Sequence, residues 1–298
     1  MNLSILGKGV WGLAMGELLQ TQGHSIEWLD RGDDKVSDET GAIIIALPTQ
    51  VVREVLQTLK IKSGKIPVIS LSKGIDIKTG QRISQMAALR WPEAPFVALS
   101  GPSLAGELRK KVPTAMVAAS LNDEWASQVQ QIFHGPFLRV YRSRDLSGVE
   151  WGGALKNIYA LAAGICAGLG LGENSLAGLV TRCLREMTRI AVHFGAHEST
   201  LHGLSGMGDL VLTSYSRASR NRRVGERLGA GDPLEKALAS VEGICEGVPS
   251  TEALHRILHS QSVEAPVAEE LYQILFKGKS PKEALLSLLS RDSKEERE

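Results

Sequence analysis

Lys156 is the only charged residue between Trp151 and Gly172, in a run built from Ala, Leu, Gly, Ile and one Cys. A lysine so placed either reaches water with its ammonium or sits desolvated, and desolvation lowers its pKa toward values useful in proton transfer. Asn157, next to it, is the only other strongly polar group in the run. Elsewhere, Ser72-Lys73-Gly74 and Ser100-Gly101-Pro102-Ser103-Leu104-Ala105-Gly106-Glu107 each follow a short apolar run. Lys73 could equally be a surface lysine, and Gly-Pro-Ser a helix start. Gly203 to Leu210 reads as a glycine-rich turn bearing one acid, Asp209. It leads to Ser219-Arg220-Asn221-Arg222-Arg223, whose guanidinium and amide donors match phosphate oxygens. The alternative there is a solvated helix face with Glu226 as partner.

A second chemistry is written near the start. Gly7-Lys8-Gly9-Val10-Trp11-Gly12 matches G-x-G-x-x-G between an apolar strand pattern and a helical one. The three glycines serve a tight turn, close backbone approach to a pyrophosphate, and helix–strand packing, while the helix N-terminus favours negative charge. Asp30 ends the next strand pattern, where an acid can meet the ribose hydroxyls of NAD; Arg31 follows, where an arginine can meet the extra phosphate of NADP. The two pull in opposite directions, so NAD and NADP both stay open.

These groups need a scaffold. Strand patterns at Leu3–Leu6, Ser25–Leu29, Ala42–Leu47, Val68–Leu71, Phe96–Leu99 and Thr114–Ala119 alternate with helical ones at Trp11–Gln22 and Val51–Leu59. That order predicts an α/β fold with a parallel, doubly wound sheet, and it places the Lys73 and Gly101 loops at carboxyl ends of strands. Beyond Gly148 apolar residues recur at helical spacing, as in Leu176, Leu179, Cys183, Met187 and Ile190. Residues 1–147 are expected to form a Rossmann-type nucleotide-binding domain, and 148–298 an all-helical one. The chain has 298 residues and a net charge of +1, with 34 Lys and Arg against 33 Asp and Glu. That balance argues against nucleic acid or a membrane surface as partner. The run 151–172 has membrane length, but its six glycines and central lysine point to close helix packing in a soluble fold. Cys166, Cys183 and Cys245 lack metal-type spacing and read as reduced core thiols, with no metal site expected. The chain opens directly on a strand pattern, which predicts no signal peptide.

Taken in order, Gly-Lys-Gly-Val-Trp-Gly, Ser-Lys-Gly, Gly-Pro-Ser-Leu-Ala-Gly-Glu, Gly-Gly-Ala-Leu-Lys-Asn, Gly-Met-Gly-Asp-Leu and Ser-Arg-Asn-Arg-Arg resemble the motifs of bacterial-type NAD(P)-dependent glycerol-3-phosphate dehydrogenases. The resemblance spans nearly the whole chain. It implies reversible hydride transfer between NAD(P)H and dihydroxyacetone phosphate, a role in phospholipid synthesis, a cytoplasmic location and a homodimer. It also implies that Lys156 is the catalytic acid/base and Lys73 a contact of both substrate and cofactor. By the same resemblance Gly101, Ser103, Asp209, Ser219, Arg220 and Asn221 meet the substrate. Gly7, Gly9, Val10, Trp11, Gly12, Arg31, Ala105, Arg220, Ile244 and Glu246 fall at cofactor positions. Glu246 is preferred to Glu242 because the Ser-Thr-Glu-Ala that follows fits the family pattern better. The main departure is a short connection between Arg31 and the Ala42 strand, which puts the adenine pocket in doubt. The nearest rival is a two-domain reductase of a non-phosphorylated keto acid, resembling ketopantoate reductase, which would have no need of Ser219-Arg220-Asn221.

Overall fold

The computed structural model describes every residue except 31, 294, 297 and 298. Seven strands, β1 (Asn2–Leu6), β2 (Ser25–Leu29), β3 (Ala42–Ile45), β4 (Val68–Ser70), β5 (Phe96–Ser100), β6 (Thr114–Ala119) and β7 (Leu138–Ser143), form one sheet in the order β2-β1-β3-β4-β5-β6-β7. Five helices accompany it: α1 (Val10–Thr21), α2 (Thr49–Thr58), α3 (Ile83–Arg90), α4 (Ala105–Arg109) and α5 (Asp123–Phe133). Among the described residues nine more α-helices follow, α6 (Leu146–Gly168), α7 (Gly172–His193), α8 (Glu198–Leu201), α9 (Asp209–Tyr215), α10 (Arg220–Gly229), α11 (Leu234–Ala239), α12 (Gly247–His259), α13 (Pro266–Lys277) and α14 (Pro281–Leu289). No strand lies beyond Ser143 among the described residues. The expected doubly wound sheet with a helical second half is therefore what the chain forms.

Sequence explains the centre of the sheet directly. β3 is Ala-Ile-Ile-Ile with all four side chains buried, as a strand covered on both faces requires. Two features depart from the expectation. β6 runs antiparallel to β5, so the sheet is not wholly parallel. β7 is an unforeseen strand: Leu138 and Val140 point inward while Arg139 and Tyr141 face water, the alternation of an edge strand.

α6 is the axis of the helical half. Asp145 caps it, its Oδ1 accepting from the Gly148 N–H at 2.8 Å. Most of its side chains are buried, consistent with a helix that is apolar all round. α10 packs on it with almost no side chain between: a Cβ on Gly164 would lie 2.1 Å from the Arg222 carbonyl oxygen, and one on Gly225 2.1 Å from that of Leu161. Cys166, Cys183 and Cys245 are buried and unbridged. Among the described residues no helix is long and apolar enough to cross a membrane.

Candidate active site

Lys156 projects from α6 into a buried cluster. Its Nζ lies 3.1 Å from Asp209 Oδ1 and donates to Thr213 Oγ1 at 3.0 Å. Lys73, in the loop after β4, donates from its Nζ to Asp209 Oδ2 at 2.6 Å and to the Gly101 carbonyl at 2.9 Å. The Asp209 side chain is 1% exposed. Burial alone would raise its carboxyl, but the two ammoniums outweigh burial and hold it below the usual carboxylate range. Lys156 is pulled down to about 8: burial is the largest cause, Lys73 and Arg220 add to it, and Asp209 opposes it.

Local sequence makes this convergence possible. Lys73 and Gly101 lie beyond the carboxyl ends of adjacent parallel strands, β4 and β5. Gly101 adopts φ +142°, a conformation that favours glycine, and Ser103 Oγ donates to the same Gly101 carbonyl at 3.1 Å. On α6, a Cβ at Gly152 would sit 2.5 Å from the Ser205 carbonyl oxygen, and one at Gly153 would sit 3.0 Å from Ser100 Oγ and 3.3 Å from Lys73 Cγ. The Gly-Gly pair thus lets the Asp209 segment and the Lys73 loop close on the helix from two sides. The expected turn at Gly203–Leu210 is instead a π-helical turn, Leu204–Gly208, running straight into α9 at Asp209. Gly206 there avoids a clash with Leu201, where a Cβ would lie 2.0 Å from the carbonyl oxygen, and does not mark a loop.

Asn221, at the start of α10, joins the cluster through Asn157. Its Nδ2 donates to Asn157 Oδ1 at 2.9 Å, and Asn157 Nδ2 donates to the Lys73 carbonyl at 3.3 Å. Asn221 Oδ1 in turn accepts from the Gly247 N–H at 2.9 Å. Ser219 caps α10, its Oγ accepting from the Arg222 N–H at 3.2 Å, which leaves its hydroxyl hydrogen for a ligand. Arg220 is exposed and faces Gly243, where a Cβ would come within 2.7 Å of Nη1. Of the competing roles for the arginine cluster, the pairing with Glu226 applies to Arg222, at 3.8 Å.

The glycine loop fits a dinucleotide. Gly7 has φ +107° and lies against Ala46, and a Cβ on Gly12 would lie 2.2 Å from the Gly7 carbonyl oxygen, so α1 starts hard against the turn. Over Gly9 there is open space, and no side chain caps α1, which leaves its first N–H groups for a pyrophosphate. Val10 and Ile244 are exposed, Trp11 and Ala105 half-buried. Glu246 Oε1 accepts from the Thr49 N–H at 2.9 Å, while its Oε2 is buried with no hydrogen-bond partner among the described residues. Burial raises this carboxyl more than Thr49 and Arg220 lower it. Glu242, the alternative, is exposed. Asp30 pairs with Lys8 at 3.4 Å; Arg31 lies outside the described residues.

Two groups in the cluster were absent from the expected set. Thr213 stands four residues after Asp209 on one helical face, donating from Oγ1 to Asp209 Oδ1 at 3.2 Å, so helical spacing was the signal once α9 is known. Asn157 was visible as a lone polar group, but its link between Lys73 and Asn221 depends on tertiary contacts. Among the described residues no group of three or more His, Cys, Asp or Glu side chains is placed to hold a metal.

Residues 34–126 match the model of the NAD-dependent glycerol-3-phosphate dehydrogenase N-terminus, and residues 145–286 that of its C-terminus. The chain belongs to the NAD-dependent glycerol-3-phosphate dehydrogenase family. A glycerol-3-phosphate dehydrogenase [NAD(P)+] of Thermoanaerobacter sp. strain X514 is 39% identical over 327 aligned positions, covering 99% of each chain. The crystal structure of glycerol-3-phosphate dehydrogenase from Coxiella burnetii superposes with a TM-score of 0.90 at 31% identity, over 97% of this chain and 99% of that one. Ketopantoate reductase of Staphylococcus aureus reaches a TM-score of 0.54 at 13% identity, over 95% of this chain and 100% of that one, a likeness of fold alone.

Proposed function

We infer that the chain is an NAD(P)-dependent oxidoreductase that interconverts dihydroxyacetone phosphate and sn-glycerol 3-phosphate. The observation that carries the reading is the single buried carboxylate of Asp209 held between two lysines, beside the carboxyl ends of β4 and β5. We assign nucleotide binding to residues 1–147 and substrate binding to 148–298. In the cell the product would feed phospholipid synthesis, from a cytoplasmic homodimer.

The nicotinamide, when bound, supplies or accepts the hydride at the central carbon of the substrate. Lys156, protonated, donates a proton to the ketone oxygen as charge develops there; in the reverse direction its neutral amine takes the hydroxyl proton. Lys73 stabilises the same oxygen as a fixed cation. Asp209 aims both ammoniums and keeps the pair from repelling each other apart. Thr213 holds Lys156 Nζ from a third side. Ser219, Arg220 and Asn221, at the N-terminus of the ten-residue helix α10, would take the phosphate. Gly101 and Ser103 would line the substrate; Val10, Trp11, Ala105, Ile244 and Glu246 the cofactor.

The test is a steady-state assay with dihydroxyacetone phosphate and NADH or NADPH in turn. Turnover dependent on the phosphorylated substrate is expected. Turnover only with non-phosphorylated keto acids would overturn the reading.

A further inference from the structure

We propose that Glu150 is a positioning residue for this reaction: it clamps the loop that carries Lys73 onto the helix that carries Lys156. The inference rests on the roles assigned above to the two lysines. Glu150 lies on α6, six residues before Lys156, and its side chain is 8% exposed. Its Oε2 accepts from Arg82 Nη1 at 2.7 Å and from Ser84 Oγ at 2.5 Å, and its Oε1 from the Ser84 N–H at 2.8 Å. Ser84 is the second residue of α3, so the carboxylate also sits against a helix N-terminus.

Arg82 is tied to the Lys73 loop by backbone. It pairs with Ile75 in an antiparallel bridge, and the Asp76 N–H donates to the Gln81 carbonyl at 2.9 Å, closing a small hairpin. Ile75, two residues after Lys73, is fully buried in the core of the helical half with Trp151, Ala154, Leu155 and Ile158. Asn157 holds the other end through the Lys73 carbonyl. Residues 73–84 are therefore fastened to α6 at both ends, and Glu150 supplies an ionic fastening. Burial raises this carboxyl above the usual range, and Arg82 and Ser84 offset that only in part. What the arrangement secures is the position of Lys73 Nζ, which shares Asp209 with Lys156 and repels its ammonium.

The experiment compares Glu150→Gln in the wild-type and Lys73→Met backgrounds of the full chain, assayed with dihydroxyacetone phosphate. In the wild-type background turnover should fall about tenfold; in the Lys73→Met background the same change should cost less than about twofold. The alkaline limb of ketone reduction should also move to higher pH, because Lys73 no longer presses on Lys156. Equal fold-losses in the two backgrounds, or an unmoved alkaline limb, would show a merely structural residue and overturn the proposal. If Glu150→Gln does not fold, Ser84→Ala removes one tether from the loop side and should move the limb the same way; an unmoved limb there also overturns it. Failure of the underlying reading is distinguishable, since it would appear as full turnover in Lys156→Ala.

Discussion

The ammonium of Lys156 titrates at about 8, and that value gives each direction of the reaction its own pH dependence. Ketone reduction needs the protonated lysine, so turnover should fall as pH rises through about 8; alcohol oxidation needs the neutral amine and should rise through the same range. A pH–rate profile in both directions checks this, and parallel limbs would contradict it. Lys156→Ala should lower turnover by roughly two to four orders of magnitude. At this scale much of the candidate site was legible, because a lone charge in a run of Ala, Leu and Gly is anomalous wherever it falls. The strength of its tuning was not. Burial and Lys73 lower the lysine while Asp209 raises it, and which prevails depends on distances of 3 Å that no spacing along the chain encodes.

At the scale of elements, the site depends on two helices meeting backbone to backbone. α10 begins with the phosphate-facing residues and is registered against α6 by Gly164, Gly168, Gly225 and Gly229, each with a carbonyl oxygen of the other helix within 2.4 Å of where a Cβ would stand. Gly225→Ala should therefore push α10 outward and cost about 1–3 kcal/mol of stability. It should also raise substrate KM through displacement of Arg220 and Asn221. Thermal unfolding and kinetics together check it; a variant with normal stability and KM would show that the helices have slack. The alternation of strands and helices in the first half could be read from periodicity, since each element buries one patterned face. The antiparallel step at β6 could not, because the direction of pairing is a long-range choice. The helical turn before Asp209 was misread because glycines used for close packing look the same in sequence as glycines used for turns.

At the scale of the whole molecule, the chain is short where it connects β2 to β3. The connection comprises residues 30–41, and no helix lies between Leu29 and Ala42 among the described residues. With so little chain beside the expected adenosine end, Lys8, paired with Asp30, becomes a candidate reader of the NADP phosphate. Lys8→Ala should weaken NADPH binding about three- to fivefold, the scale of an exposed ionic contact, and leave NADH within about twofold, as measured by fluorescence titration. Equal losses for both cofactors would remove Lys8 from that role. The Lys73 loop carries a different lesson for anyone recombining such enzymes. Ile75 lies in the core of the helical half, and Arg82 and Ser84 are bound to α6. A chimera cut cleanly between Ser143 and Leu146 would bring this insert in from one parent and its socket from the other. Grafts that transfer residues 73–84 together with the helical half should be the ones that inherit a working reaction centre.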